Sequence, residues 1–298
     1  MSSKTQVLLI GLDIGGTKTK IAYRISDAAE IRTLVTHGAN LKATGSVHVA
    51  GLIATIVSRI RAQHTFDDRA RIVAGVAGAG RQNDQNEVEA LFLQAHTNSK
   101  DRLTVYSDAA IALEGAFNGG PGMILIAGTG SGVYARSKAG ETLRAGGWGS
   151  VLGDPASGYR IGLRALRAVA RDLDGGPATA LTTYLEKHRG LKGRDQLVTE
   201  VYSGSVDVAQ ISRLVLNLVA EGDQVLNELL DQEIVELTAE VGYLIKDRSE
   251  IRLVLMGGLC DHPLFKRRLR TALTTSIPQI SFVEPAFPPE VGALRLCE

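Results

Sequence analysis

Two glycine turns constrain this chain more than any other feature, because each is launched from a buried apolar strand and each carries a hydroxyl. The first follows Val7 to Leu12, a continuous branched apolar run that ends in Asp13-Ile14-Gly15-Gly16-Thr17-Lys18. A run of that kind, without polar alternation, reads as a strand buried on both faces. The second follows Met123 to Ala127 and reads Gly128-Thr129-Gly130-Ser131. GLDIGGTKTKIAYR at 11–24 and LIAGTGSGVYAR at 125–136 therefore align as strand, glycine turn and return strand. The repetition predicts an internal duplication in an α/β fold.

The intervening patterns agree. Lys20 to Ile25 alternates polar and apolar residues and Ile31 to Thr36 is rich in β formers, so the opening reads as three strands joined by tight turns. Val49, Leu52, Ile53, Ile56, Val57 and Ile60 then recur at helical spacing. Ile72 to Val76 reads as strand, Glu87 to Ala95 as helix, and Leu103 to Tyr106 as a strand ending at Ser107-Asp108. After the second turn the order starts again, with strands at Val133 to Arg136 and Thr142 to Arg144 and a helix through Ile161 to Leu173. A long amphipathic helix from Leu226 to Ile245 follows, then strand Ile251 to Met256 ending in Gly257-Gly258, helix Leu264 to Leu273, a short strand at Ile280 to Val283, and Glu290 to Leu296. Asn118-Gly119-Gly120-Pro121-Gly122 cannot continue a helix and is the expected domain boundary.

Charge and cysteine content exclude several classes. Thirty-three basic residues against 32 acidic ones leave a formal charge of +1, which advertises no surface for nucleic acid. Cys260 and Cys297 are too few for a disulfide framework, a four-cysteine zinc site or an iron–sulfur cluster. No apolar run approaches the roughly 18 residues of a membrane span, and the polar MSSKTQ start lacks signal-peptide character, so a cytoplasmic protein without membrane contact is expected. The six histidines are scattered without metal-ligand spacing, and each is expected at the surface. Arg267, Arg268 and Arg270 are expected to form a solvated helical face.

A strand that ends in a carboxylate and runs into Gly-Gly-Thr-Lys suits a phosphate. Glycines such as Gly15 and Gly16 let backbone amides approach phosphate oxygens, the Thr17 hydroxyl can donate to them, and Lys18 can supply charge. Asp13 is placed to hold Mg2+ through water, the usual arrangement beside substrate phosphates. Neither a Walker loop nor a strand-linked G-x-G-x-x-G is present, and the plain alternative is a tight β-hairpin. Thr129 and Gly130 alone would be weak evidence. Set opposite the first turn by a duplication, they make a two-sided clamp across a cleft, able to stabilise charge on a transferring phosphoryl group.

The ordered set DIGGTK at 13–18, SDAA at 107–110, AGTGS at 127–131, GGWG followed by GD at 146–154, and MGG at 256–258 resembles the BadF/BadG/BcrA/BcrD-type ATPases of the actin and hexokinase superfamily. Within that family the N-acetylglucosamine kinase branch is the nearest in pattern. The resemblance covers nearly the whole chain. It implies two RNase H-like, actin-like ATPase domains of duplicated βββαβα(β) topology around a central cleft, one formed by 1–117 plus 287–298 and the other by 118–286. It further implies ATP and Mg2+ as cofactors, a small-molecule amino sugar as substrate, and a homodimer as the assembly.

Residue roles carry over motif by motif. Asp108 takes the family's catalytic base, whereas the residues alone read Ser107-Asp108 as a helix N-cap. Gly147, Trp148, Gly149 and Asp154 fall in the sugar-contacting segment, with Ser131 beside it. A carboxylate can accept hydrogen bonds from sugar hydroxyls, and glycine amides can fix an acetamido group. Trp148, the sole tryptophan, reads equally as a core or hinge aromatic. Asn40 matches the family's sugar-contacting asparagine, against a plain turn residue, and Gly78 lies where backbone approaches the sugar, against a plain strand exit. Gly257 and Gly258 match the motif that lets adenosine lie against backbone. Pro155-Ala156 departs from the family, where Asp is usually followed by Glu and a small residue, and this leaves the sugar open among N-acetylglucosamine, glucosamine and muramic acid derivatives.

Two readings from other classes compete. An ATPase activator of a radical dehydratase would share the fold and loops but needs cysteines near the hinge, and neither Cys260 nor Cys297 is so placed. A regulator of the repressor, open reading frame and kinase family would carry a helix-turn-helix before the first strand, which here starts near residue 7, and kinases of that family a cysteine-rich zinc motif.

Overall fold

A computed structural model describes residues 6–26, 28–63, 69–245 and 250–298. These form two compact units, one reaching to Pro121 and resuming from Glu284 to Glu298, the other Gly122–Val283.

The first unit opens with strands β1 (Leu8–Ile14), β2 (Lys18–Ile25) and β3 (Arg32–His37), then helices α1 (Leu41–Thr44) and α2 (Ser46–Ala62), β4 (Ala70–Val76), α3 (Gln82–Ala95), β5 (Arg102–Ser107) and α4 (Asp108–Phe117). The sheet order is β3-β2-β1-β4-β5, with β1–β2 and β2–β3 antiparallel and β1–β4 and β4–β5 parallel.

The second unit holds β6 (Gly122–Ala127), β7 (Ser131–Arg136), β8 (Thr142–Gly146), α5 (Gly158–Leu173), α6 (Ala180–Arg189), α7 (Gly193–Tyr202), α8 (Val208–Ala220), α9 (Gln224–Tyr243), β9 (Ile251–Met256), α10 (Pro263–Ser276) and β10 (Ile280–Phe282). Helix α11 (Pro289–Arg295) returns to the first unit. The second sheet runs β10-β9-β6-β7-β8, again a three-strand antiparallel meander extended by two parallel strands. Read from the meander side, both sheets have the same order and polarity. The duplication expected from the paired glycine turns is thus present as topology.

β1 is apolar apart from Asp13, as both of its faces are covered. Leu8, Ile10, Leu12 and Ile14 join a core with Ile53, Val57 and Phe92 of α2 and α3, while Val7 and Leu9 join a second core with Ile111 of α4 and Val291 and Leu294 of α11. Each such fully buried aliphatic side chain contributes about 1.5–3 kcal/mol relative to exposure. Asp13 shares strand parity with Leu9 and Gly11, so it belongs to the α4/α11 face. On that face glycines admit close backbone packing. A Cβ on Gly11 would strike the backbone of Glu290 and Leu294, and one on Gly292 would strike Ile111 and Gly115.

Helix ends follow capping chemistry. Ser107, Ser157, Asp207 and Asp223 each accept backbone N–H groups from the first turns of α4, α5, α8 and α9. α4 stops at Asn118, which takes a left-handed conformation.

No helix was named from the sequence across α6, α7 and α8; α6 buries only Leu181 and Leu185 and α7 only Leu197, whereas α8 buries Ile211, Val215, Leu216, Leu218 and Val219 in a helical pattern that was passed over. One expectation needs correction. His96 is buried rather than at the surface, with its ring stacked on Phe92 at 4.8 Å and Nε2 2.7 Å from the fully buried carboxylate of Asp101, which also binds Arg61 and the Ala70 amide. The basic stretch of α10 is solvated as expected at Arg267 and Arg270, and Arg268 is half-buried. Arg268 binds Asp231 at 2.8 Å and Asn227 at 2.6 Å, and Arg270 lies over the Phe282 ring at 4.4 Å.

Candidate functional site

In the first unit the parallel strands place their carboxyl ends together, as open α/β sheets do at their binding sites. Register aligns Asp13 with Gly75, Ile14 with Val76, and Val76 with Ser107, so Asp13 of β1 and Asp108 at the start of α4 are held at the same sheet end. Ser107 Oγ accepts the Ala110 N–H at 3.2 Å and so carries out the capping duty; the Asp108 carboxylate accepts the Ala109 N–H at 2.9 Å. Helix α4 thereby sets an anionic side chain at its own N-terminus, where the helix dipole favours it.

The first glycine turn is a hairpin closed by Gly15 N–H donating to Lys18 C=O at 3.0 Å, and Gly15 C=O accepts the Ala39 N–H at 3.0 Å. Gly15 shapes the turn through these bonds, while Gly16, Thr17 and Lys18 are exposed at its tip. Gly38 is required behind it, because a Cβ there would run into Gly15 O and Lys18 N. Asn40 caps α1, its Oδ1 accepting the Lys42 N–H at 3.0 Å. Gly78 follows β4 with φ of 88°, and a Cβ on it would stand 3.2 Å from Asn40 Oδ1. Asp13, Asn40, Gly78 and Asp108 are brought to one end of one sheet.

Asp13 has its pKa pushed up to about 6, first by burial and then by the negative charge of Glu290, with Asp108 adding and Lys20 and Lys18 opposing. Glu290 is buried on α11, and its Oε2 has no hydrogen-bond partner. Sequence reasoning missed Glu290, because only the glycine-lined packing of α11 brings it to β1. Among the described residues no group of three or more His, Cys, Asp or Glu side chains is arranged to hold a metal. A carboxylate with raised pKa beside an orphaned carboxylate oxygen nevertheless suits a divalent cation ligated mainly by water and phosphate.

In the second unit the loop Gly128-Thr129-Gly130 is fastened to α5. Gly128 N–H donates to Gly130 C=O at 2.9 Å, and the Gly128 and Thr129 carbonyls accept from Gly158 at 2.7 Å and Tyr159 at 3.2 Å. Thr129 is exposed. Ser131 is buried, its hydroxyl donating to Pro155 C=O at 2.6 Å, which commits that proton within the fold. Gly257, with φ of 98°, tucks against the Ala127 backbone, whereas the Cβ direction of Gly258 is open.

Gly146, Gly147 and Gly149 all have positive φ, which glycine adopts at no steric cost. Arg144 anchors the loop, with Nε donating to Gly146 C=O at 3.0 Å and Nη2 to Gly147 C=O, and its guanidinium lies over the Tyr134 ring. Trp148 is 73% exposed, which removes its core reading. Asp154 is buried in a left-handed conformation with φ of 56°; its carboxylate accepts the Gly149 N–H at 3.0 Å and lies under Gly130. Burial raises its pKa, opposed by backbone donors from Gly149 and Ser131 and by Arg144.

Two further acids escaped the sequence reading, and both come from the long helix α9. Glu233 is fully buried and accepts the Ala156 N–H at 2.7 Å through Oε2 while Oε1 binds Arg164 at 2.7 Å and Arg160 at 3.2 Å. Where the family pattern has a glutamate after the aspartate, this chain has Pro155, and a carboxylate reaches the loop from α9. Glu240 lies against Gly146. In a helical pattern both read as solvent-face acids, and no local signal distinguishes them.

Residues 10–296 match the model of the BadF/BadG/BcrA/BcrD ATPase family. The chain is 28% identical over 264 residues to an N-acetylmuramic acid/N-acetylglucosamine kinase of Clostridium acetobutylicum, covering 85% of this chain and 86% of that protein. It is 26% identical over 310 residues to an N-acetyl-D-glucosamine kinase of Dictyostelium discoideum, covering 97% of each. Among solved structures, a candidate N-acetylglucosamine kinase from Chromobacterium violaceum superposes with a TM-score of 0.78 at 27% identity, over 98% of this chain and 99% of that one.

Proposed function

The chain belongs to the BadF/BadG/BcrA/BcrD ATPase family, and on that premise we propose that it is an ATP-dependent amino-sugar kinase whose preferred acceptor is N-acetylglucosamine, phosphorylated at O6. The observation that carries this reading is the gathering of Asp13, Asn40, Gly78 and Asp108 at the carboxyl end of one sheet. A phosphate loop there is joined by a carboxylate suited to act as base and by an amide suited to a sugar.

ATP with Mg2+ would supply the γ-phosphoryl group and neutralise its charge when bound. Asp13 would hold that metal, with the negative charge of Glu290 close by. In the first unit Gly16, Thr17 and Lys18 offer donors and charge suited to phosphate, on a turn whose shape Gly15 sets. In the second unit Thr129 and Gly130 offer donors of the same kind, and Gly257 and Gly258 leave backbone open to adenosine. Asp108 accepts the proton of the attacking sugar hydroxyl, a contribution of about 10²–10⁴-fold. In the first unit Asn40 and the Gly78 backbone are suited to sugar hydroxyls. In the second unit Asp154 is suited to the same groups, and Gly147 and Gly149 present amides suited to an acetamido group beside Trp148. Ser131 acts behind them by holding Asp154 and Pro155 in place.

The test is ATP consumption with glucosamine, N-acetylglucosamine, N-acetylmuramic acid, N-acetylmannosamine and glucose. N-acetylglucosamine is expected to give the highest kcat/KM, and the absence of turnover above basal hydrolysis with every sugar would sink the proposal.

A further inference from the structure

Glu240 lies two turns along α9 from Glu233 and has no structural partner comparable to Ala156, Arg160 and Arg164. Its Oε2 is buried and makes no hydrogen bond. Its carboxylate occupies the space a Cβ on Gly146 would take, with Oε1 2.8 Å from that position. Glycine at 146, in a left-handed conformation with φ of 68°, is thus what lets the carboxylate reach the loop. A buried acceptor left unsatisfied is costly, on the order of 1–3 kcal/mol and more when charged. Structures retain such a group where a ligand satisfies it.

The groups facing Glu240 agree. Its pKa is pushed up to about 7, first by burial and then by the charge of Asp154, with Arg160 opposing and Glu236 adding. Two carboxylates, Glu240 and Asp154, therefore act on the same loop, and only Asp154 is satisfied there, by the Gly149 amide. A hydrogen-bond donor from outside the chain would relieve both the orphaned oxygen and the crowding of charge.

We infer that Glu240 is a specificity-determining residue of the acceptor site, accepting a hydrogen bond from the nitrogen on C2 of the sugar. This rests on the amino-sugar kinase reading, in which the glycines next to Gly146 receive the acetamido group. An acetamide N–H or an ammonium satisfies the half-buried Glu240 carboxylate. The carboxylate of a muramic-type lactyl ether on the neighbouring carbon is repelled by it. The substrate class is accordingly neutral or cationic 2-amino hexoses, with anionic ones disfavoured.

Glu240→Gln is nearly isosteric and removes the charge. KM for N-acetylglucosamine should rise roughly tenfold, that for glucosamine by more, up to about a hundredfold, as expected for loss of a charged hydrogen bond. kcat with N-acetylglucosamine and KM for ATP should change little, and N-acetylmuramic acid should gain kcat/KM relative to N-acetylglucosamine. Glu240→Asp keeps the charge with a shorter reach and should give an intermediate KM without the gain for the anionic sugar. Sugar KM values and preference unchanged in both variants would overturn the inference while leaving the kinase reading intact. If the wild-type chain phosphorylates none of the three sugars, the kinase reading fails. Calorimetric titration of N-acetylglucosamine then decides Glu240: a Kd raised tenfold by Glu240→Gln upholds the role, and an unchanged Kd, or no binding to the wild type, overturns it.

Discussion

Glu233 accepts the backbone N–H of Ala156 at 2.7 Å, joining the middle of helix α9 to a left-handed residue in the loop that carries Asp154. The same carboxylate holds Arg160 and Arg164, so one fully buried acid fixes both the loop and the face of α5 that follows it. Removing one partner of such a network leaves the others uncompensated. Glu233→Ala should lower stability by about 3 kcal/mol and raise the sugar KM more than the ATP KM. A denaturant titration with sugar kinetics checks this, and Glu233→Gln, which keeps an acceptor for Ala156, should recover most of the sugar KM.

Asp108→Asn keeps the Ala109 contact and the start of α4 but cannot take a proton. kcat should fall by about 10²–10⁴-fold with ATP and sugar affinities nearly unchanged. Single-turnover kinetics with equilibrium binding would read this directly, and full activity in the variant would remove Asp108 from the role of base.

Asp13 has a folded pKa of about 6 against an ordinary value of 3.8. Above pH 6 it is ionised in the folded and unfolded chains alike, and the folded chain carries the whole cost of burying the charge. As pH falls from about 6 towards 4 the folded chain takes up a proton that the unfolded chain does not, and the cost disappears. Asp13→Asn should therefore be more stable than wild type at pH 8, on the order of 2 kcal/mol, with the difference shrinking below pH 6. Urea titrations across that range measure it. The same variant should lose most turnover, because the metal-holding charge is gone.

Gly292→Ala places a methyl group against Ile111 O and the Gly115 backbone. The clash is with backbone and cannot be relieved by a rotamer change, so α11 must shift, at a cost of about 1–3 kcal/mol. Glu290 moves with it. The expected signature is a lower melting temperature together with an altered pH dependence of the kind assigned to Asp13; a variant with wild-type stability and pH profile would refute this account of the packing.

Local chemistry explains what could be read ahead of the structure. The strands announced themselves because glycine turns and apolar runs are local signals, and Ser107 and Asp108 sit where strand β5 gives way to helix α4. Glu233, Glu240 and Glu290 were not legible because each earns its place through a partner between about 77 and 280 residues away: Ala156, Gly146 and Asp13 respectively are reached only after α9 and α11 have packed. His96 was misread for a different reason: its partners Phe92 and Asp101 are close in sequence, but Asp101 is buried only by Arg61 of α2 and the Ala70 amide of β4. For Trp148 the sequence left a core or hinge role and ligand contact evenly weighed, and its exposure removes the core.

The return of α11 to the first unit has a consequence for the order in which the protein is made. Its residues Val291, Ala293 and Leu294 complete the core on one face of β1, yet they are translated only after every residue of the second unit. On the ribosome the second unit, a continuous stretch from Gly122 to Val283, has its whole sequence available first. The first unit must wait with Val7, Leu9 and Ile111 uncovered, an inversion of the usual amino-terminal-first sequence of domain folding. A nascent chain stalled before residue 289 leaves that face of β1 without its α11 cover.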